Sequence, residues 1–298
     1  MSVDVDQSTP ATPAVTQELT LRDIDRLPLG FWSQLSAQDA RNALENFPHR
    51  SVWMPDTLEY AILGPWRHRP EVANVLALSA ARHPAQLLCA AARQCGRFGA
   101  HVVTAIEIDE VRHPAFYERA GFGLFEEVIT YELDCRDTAV GGTDGIIFRR
   151  ADESSSADIE QLLALDHASF PWLWWNSAEE FSAYANDPGV ELLIGQVDNE
   201  AVSYMGITSY LGWGHIDRIA VSPSFQGLGL GGASLAFAIN RLAKSGAKRI
   251  GLSTQKNNER SQRLYERFGF RRGSHHDYRI YGKILSLPEG VSNVVRVG

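Results

Sequence analysis

The sequence predicts a mixed α/β protein built from two copies of one unit, and three observations predict it. Stretches with a two-residue period alternate with stretches of helical period, from residue 71 to 133 and again from 215 to 270. A run of glycines lies where one strand hands over to a helix, in His215-Ile216-Asp217-Arg218-Ile219-Ala220-Val221-Ser222-Pro223-Ser224-Phe225-Gln226-Gly227-Leu228-Gly229-Leu230-Gly231-Gly232. Tyr117-Glu118-Arg119-Ala120-Gly121-Phe122 returns as Tyr265-Glu266-Arg267-Phe268-Gly269-Phe270, and Gly99-Ala100 parallels Gly246-Ala247 at a nearly equal distance upstream, as an internal repeat requires.

In chain order, Met1 to about Gln17 is rich in Ser, Thr, Pro, Val and Asp, with too little apolar content to pack. Residues 1–18 are therefore read as a disordered lead-in, with structure beginning near Leu19. In the first half, Glu71 to Leu78 reads as a strand, Ala85 to Phe98 as a helix, His101 to Ile108 as a strand, Pro114 to Phe122 as a second helix and Glu127 to Leu133 as a closing strand. Small and turn-forming residues then interrupt two apolar blocks, which makes 136–144 a linker between units at 19–135 and 145–285. Residues 286–298 read as an irregular tail.

In the second half, His215 to Val221 alternates and is rich in β-branched types, so it is a strand. Pro223 ends it, having no N–H for a ladder. Leu235, Ile239 and Leu242, with alanines between them, mark the following helix. Glycines at the start of that helix allow a tight fold that offers backbone N–H groups beside the positive end of the helix dipole, a cradle for pyrophosphate. Gly227-x-Gly229-x-x-Gly232 also fits a dinucleotide fingerprint. However, a Pro-Ser-Phe-Gln spacer separates it from its strand, and Gly251-Leu252-Ser253-Thr254 offers no acid for a ribose. A P-loop is excluded because no Gly-Lys-Ser/Thr follows. A turn that binds nothing is the remaining reading of the loop alone.

The strand Lys248 to Ser253 follows, then a helix containing Asn258-x-x-Ser261-x-x-Leu264-Tyr265-x-x-x-Gly269-Phe270. Together with Val221-x-Pro223-x-x-Gln226-x-x-Gly229-x-Gly231, in this order, it resembles the GNAT superfamily of acyl-CoA-dependent N-acyltransferases. The resemblance runs from about Gly145 to Leu285. It implies a tandem pair of domains of this kind, each a mostly antiparallel twisted sheet flanked by helices. In the first copy the loop position reads Ser79-Ala80-Ala81-Arg82-His83-Pro84-Ala85-Gln86, without glycine, so that copy is read as degenerate.

The resemblance also implies roles. Acetyl-CoA is the co-substrate, held by the backbone of Leu228, Gly229, Leu230, Gly231 and Gly232, with Gln226 and Gly227 opening the loop. Asn258 and Ser261 match polar positions on the cofactor side. Ile219, Ala220 and Val221 match the strand that contacts pantetheine and thioester, the Val221 N–H polarising the carbonyl. Tyr265 matches the tyrosine that protonates the leaving thiolate, a role a neutral phenol suits. Strand alternation places His215, Asp217, Ile219 and Val221 on one face. That leaves His215 and Asp217 as alternative general bases, against an ion pair of Asp217 with Arg218 or Lys248 and a merely structural histidine. Tyr117, matching Tyr265 without a glycine loop beside it, is read as packing. The acceptor is expected between 164–184 and 272–281, where Glu179, Glu180, Tyr184, Tyr204 and Tyr210 are candidates. The aromatic run from His167 to Trp175 either lines that pocket or fills the seam between the units. The histidines of His275-His276-Asp277 point to opposite faces of a strand, so no metal is expected.

At 298 residues, with 44% hydrophobic residues and a net charge of −8, the chain is long enough for two domains and too acidic to grip nucleic acid chiefly through phosphates. It lacks an apolar run of about 18 residues and a basic-then-apolar start, which reads as a cytoplasmic protein without a membrane partner. Cys89, Cys95 and Cys135 are odd in number and show no paired spacing, as expected of free thiols. The leading functional reading is direct acetyl transfer to a primary amine, on a small molecule or a protein N-terminus. The second half looks most like the ribosomal-protein alanine acetyltransferase branch, and mycothiol synthase is also a tandem pair of this fold. A non-catalytic acyl-CoA sensor or scaffold is the alternative from another class. A homodimer is possible.

Overall fold

The structure, a computed structural model, describes residues 15–30, 35–108, 112–135, 145–273 and 277–295. The linker read at 136–144 and the pair His275-His276 lie outside them. The first half begins with strand β1 (Gln17–Glu18), two residues before the expected start, followed by a 3₁₀ turn (Leu21–Arg26) and helix α1 (Ala37–Asn46). Next come β2 (Val52–Met54), β3 (Glu59–Trp66) and β4 (Arg69–Ser79). Sequence periodicity does not reveal β3, because it is buried on both faces. Tyr60 and Ile62 pack under α1, while Ala61 and Leu63 pack under the next helix, so no polar residue alternates with the apolar ones. That helix is α2 (Pro84–Arg97), followed by β5 (Val102–Ile108), a single-turn α3 (Ala115–Glu118) shorter than expected, and β6 (Gly123–Asp134).

The second half repeats this order with β7 (Ile147–Arg150), α4 (Ser156–Ser169), a 3₁₀ turn (Trp172–Trp174) and α5 (Ala178–Ala185). The strands β8 (Val190–Val197), β9 (Glu200–Tyr210) and β10 (Trp213–Val221) lead to α6 (Leu230–Lys244). β11 (Arg249–Gln255), α7 (Glu259–Arg267), β12 (Arg271–Arg272) and β13 (Tyr278–Ile284) complete it. Helix α4 and α5 bury Leu162, Leu165 and Phe181 against Leu192, Ile194 and Tyr204. On the opposite face α6 buries Leu235, Ile239 and Leu242 against Leu193, Met205 and Ile250.

The repeat is visible in backbone detail. After α2 the Ala100 N–H bonds the Cys95 carbonyl, and after α6 the Ala247 N–H bonds the Leu242 carbonyl; Gly99 and Gly246 take the left-handed position between, at φ +85° and +90°. The Phe122 N–H reaches the Tyr117 carbonyl as the Phe270 N–H reaches that of Tyr265, around Gly121 and Gly269 at φ +75° and +88°.

The sheet runs β1-β2-β3-β4-β5-β13-β6-β11-β10-β9-β8-β7, with β12 paired to β6 off this path. Only β4–β5 and β10–β11 are parallel among the pairs described. The closing strands are exchanged. β6 ends the first half in sequence yet pairs with β11, while β13 ends the second half and lies between β5 and β6.

Candidate active site

The register of β10 decides the site. It pairs in parallel with β11 only from Trp213 to Ile216, after which the two strands part and leave a notch at the open end of the sheet. On its other side β10 pairs with β9, and the register slips between Ile216 and Arg218. Asp217 is the extra residue of this bulge, and a bulge resets which face follows. His215 and Asp217 therefore share the α4–α5 face with Arg218 and Ala220, while Ile219 and Val221 turn toward α6. The expectation that all four of His215, Asp217, Ile219 and Val221 share one face is thereby corrected.

Beyond the bulge, the Ser222 N–H is bonded to the Val202 carbonyl on β9. Amides alternate along a strand, so the Val221 and Ile219 N–H groups face the notch. The Val221 carbonyl, also on that side, accepts from the Gln226 side chain at 3.0 Å, and Gln226 accepts from Arg260 of α7 at 2.6 Å. Gln226 thus ties the strand end to α7 across the mouth of the notch. The glycine loop follows. Gly227 and Gly229 lie at φ +88° and +86°, where an L side chain is strained, and a Cβ on either would meet nothing within 4 Å. Gly231 and Gly232 form the first turn of α6. Among the described residues, no backbone carbonyl takes the N–H groups of Gly227, Leu228, Gly229, Leu230 or Gly231. These amides point to an anion site at the positive end of a 15-residue helix.

The loop forms one wall of a groove of ≈ 940 Å³ whose other wall is α7, where Arg260, Arg263 and Arg267 fall three and four residues apart on one face. A second cavity of ≈ 340 Å³ opens on the α4–α5 side. Ile219, Asn258, Ser261 and Tyr265 line both, so the two meet at the notch. Asn258 accepts from the Ser261 N–H at 3.2 Å as the cap of α7, which orients the turn carrying Tyr265. Burial pushes the Tyr265 hydroxyl above a phenol's ordinary range, and a hydrogen bond with Ser261 partly opposes it. Its ring is held edge-on by Tyr131 at 5.9 Å.

In the second cavity, Asp217 accepts from Thr208 at 2.6 Å and Tyr184 at 2.7 Å, and pairs with His215 Nδ1 at 2.8 Å. Burial works against its charge, yet these bonds hold its carboxyl below the usual range. Arg218 is not its partner. That guanidinium pairs with fully buried Asp166 of α4 at 2.6 Å, beside the Tyr204 hydroxyl. Glu180, Tyr184 and Tyr204 line the cavity, whereas Glu179 and Tyr210 do not. The aromatic run both fills the seam and lines the cavity: Trp172, Leu173 and Trp174 pack with Trp66, Val72 and Val102 of the first half, while Phe170 and Trp174 face the cavity. Sequence reasoning missed Asp166, and it missed Arg67, which reaches the cavity from the β3–β4 turn; neither sits in a motif.

The equivalent region of the first half is closed from within. The amides of Arg82 and His83, where α2 begins, both donate to Glu59, at 2.5 and 3.1 Å, and His83 Nδ1 lies 2.7 Å from the same carboxylate. Glu59 is 4% exposed and fills the anion position that the glycine loop leaves open. Tyr117 is buried, donates to Glu107 and stacks on Tyr281 at 4.3 Å.

Among the described residues no three His, Cys, Asp or Glu side chains form a group able to hold a metal ion, and no helix is long and apolar enough to cross a membrane. Residues 157–270 match the sequence profile of the acetyltransferase (GNAT) family. No curated protein sequence matches the chain. Among solved structures it is similar to a GCN5-related N-acetyltransferase from Sphaerobacter thermophilus, with 16% identity and a TM-score of 0.61 over 95% of this chain and 98% of that one. A tandem GNAT protein from the clavulanic acid biosynthesis pathway gives 12% identity and a TM-score of 0.57 over 92% and 99% of the two chains. A GCN5-related N-acetyltransferase from Kribbella flavida gives 12% and 0.61 over 91% and 71%. The fold of the chain is that of these proteins. Residues 157–270 are a GNAT-family acetyltransferase domain, and the chain as a whole has the tandem GNAT fold.

Proposed function

We propose that the protein transfers an acetyl group from acetyl-CoA directly to a primary amine, at a single site in the second half, 145–285. The observation that carries this is the meeting of groove and second cavity at Ile219 and Tyr265, with five uncommitted amides at one end of the groove. The residues present fit the co-substrate: loop amides with no side chain in the way, three arginines along the facing wall, and notch-facing amides on β10. Bound there, acetyl-CoA supplies an activated acetyl thioester.

The chain's own residues then have distinct tasks. Gly227 to Gly231 and the α7 arginines hold phosphates. The Ile219 N–H, at the junction of the two cavities, is better placed than that of Val221 to donate to the thioester carbonyl, since Val221 lines the groove alone. His215 takes the amine proton at Nε2 while Asp217 holds Nδ1 and fixes the tautomer. Asp217 itself, with three donors on its carboxylate, is a poor base. Tyr265 gives its hydroxyl proton to the departing sulfur. The first half is proposed to bind no acyl-CoA, because Glu59 occupies its anion position.

Calorimetric titration of acetyl-CoA into the intact protein and into a Gly229→Glu/Gly231→Glu variant tests this. One site per chain, lost in the variant, with turnover of an amine panel, is expected. Two sites would overturn the reading of the first half, and tight binding without any turnover would make the protein a sensor.

A further inference from the structure

The two-residue turn between β3 and β4 is Arg67-His68, and both residues lie in the left-handed region at φ +53°. The matching β9–β10 turn of the second half, Leu211-Gly212, has both residues in the same region, at φ +46° and +83°. The Arg67-His68 turn is docked on the other half of the molecule. Trp66 Nε1 donates to the Leu173 carbonyl at 2.8 Å, Arg67 Nη1 to Asn176 Oδ1 at 2.7 Å, and His68 Nδ1 lies 2.6 Å from Glu180. Arg67 thereby lines the cavity on the α4–α5 side, together with His215, Asp217 and Glu180.

Its guanidinium is only half used. Nε is buried without a partner, and Nη2 makes no hydrogen bond to the described residues. These two nitrogens form the edge that presents parallel N–H bonds to a carboxylate. Trp66 and Trp174 hold the group by cation–π contacts at 5.6 and 5.3 Å from their ring centroids, which fixes its orientation without neutralising it. No carboxylate of the described residues lies within ion-pairing distance. Burial, and then the like charge of Arg218, pull its pKa down to about 10, with Glu180 and Asp166 opposing the shift. Arg218 is paired with Asp166, so among the described residues that line this cavity Arg67 is the arginine without a carboxylate partner. A doubly charged phosphate would call for more than one; a carboxylate matches one guanidinium edge.

We propose that Arg67, supplied by the first half, is the acceptor's carboxylate receptor, so that the acetylated amine belongs to an amino acid or another amine bearing a carboxylate. The inference rests on the acetyltransferase reading of the same site. In it the first half is a specificity element: it presents Arg67 to a cavity whose base, His215, and whose thioester site belong to the second half. Glu180, already bonded to His68, anchors the turn and adds negative potential on the side where an ammonium group would sit.

Acetylation rates for matched pairs test the proposal: phenylalanine against phenethylamine, lysine against cadaverine, β-alanine against ethylamine. The carboxylate-bearing member is expected to be preferred about 10- to 100-fold in kcat/KM. Arg67→Gln should abolish that preference through KM while leaving the plain amine and acetyl-CoA affinity unchanged, and Arg67→Lys should restore part of it. Equal rates for both members in the unaltered protein, or an equal loss for both in Arg67→Gln, would overturn the assignment. Binding of N-acetylphenylalanine against N-acetylphenethylamine in the presence of CoA reads Arg67 without turnover. Preference for the acid, lost in Arg67→Gln, supports the role even if no amine is acetylated, and no preference for the acid overturns it. Failure of acetyl-CoA to bind, or to be turned over with any amine, refutes the acetyltransferase reading separately.

Discussion

Tyr265 and Tyr117 occupy the same place in the two copies and have opposite fates, because their surroundings differ and their sequence contexts do not. Tyr117 gives its hydrogen to Glu107 inside a closed core, whereas Tyr265 lies where two cavities meet. Burial keeps the Tyr265 phenol protonated beyond the ordinary value of about 10, so it remains an acid throughout the range where an amine acceptor loses its own proton. Tyr265→Phe is expected to lower kcat by about 10²- to 10³-fold with acetyl-CoA affinity nearly unchanged, and the rate of the unaltered enzyme should show no fall on the alkaline side below about pH 10. Steady-state rates across pH check both statements, and a variant retaining full kcat would remove Tyr265 from the proton transfer. The motif singled out Tyr265, and the fold sets that residue where the two cavities meet. Asp217 was legible only as an acid near a histidine; that its carboxylate is bonded to His215 and held charged also depends on Thr208 and Tyr184, brought in by two other elements.

At the scale of elements, the two helix starts show how one backbone arrangement is opened or closed. The glycines before α6 leave its amides available; at α2 the Glu59 carboxylate from β3 takes them. Glu59 is buried, which opposes its charge, but bonds from His83, from the Arg82 and His83 amides and from Thr57 hold its pKa below the ordinary value. A carboxyl with a depressed folded pKa contributes stability that is present above its unfolded value of about 4.3 and is lost as pH falls through the folded value. Glu59→Gln should therefore cost about 1–3 kcal/mol near neutral pH, and the gap from the unaltered protein should shrink as the solution is acidified below about pH 4. Denaturant melts at a series of pH values would show it; a constant gap would mean that packing, not charge, makes Glu59 matter. The missing glycine at 79–86 announced that this copy differs. The residue filling the gap lies some twenty positions upstream and no local pattern pointed to it.

For the molecule as a whole, the exchange of β6 and β13 binds the two copies into one sheet. β13 makes antiparallel ladders with both β5 and β6, so removing it opens an edge on each side of the seam. Deleting residues 278–298 is expected to unfold both halves together, and the intact chain should melt in one cooperative transition by calorimetry and circular dichroism. Survival of the first half as a separate folded unit in the truncated chain would show that the exchange adds little. The seam also carries the aromatic run from 167 to 175, which serves two surfaces at once and so fits both of the readings its composition allowed.

By itself the sequence determined the repeat, the elements with clear periodicity, the glycine loop and the motif around Tyr265. Each of these rests on residues close together in the chain, where hydrogen bonding and conformational preference act over a few positions. The tertiary structure alone decided which strand completes which sheet, how the bulge at Asp217 divides β10 between two faces, which carboxylate closes the first copy, and that Arg67 reaches the second copy's cavity. These depend on register and on contacts between distant segments. A two-residue period is the same whichever partner a strand chooses, and an arginine at a turn looks solvated until the other half of the molecule is packed against it.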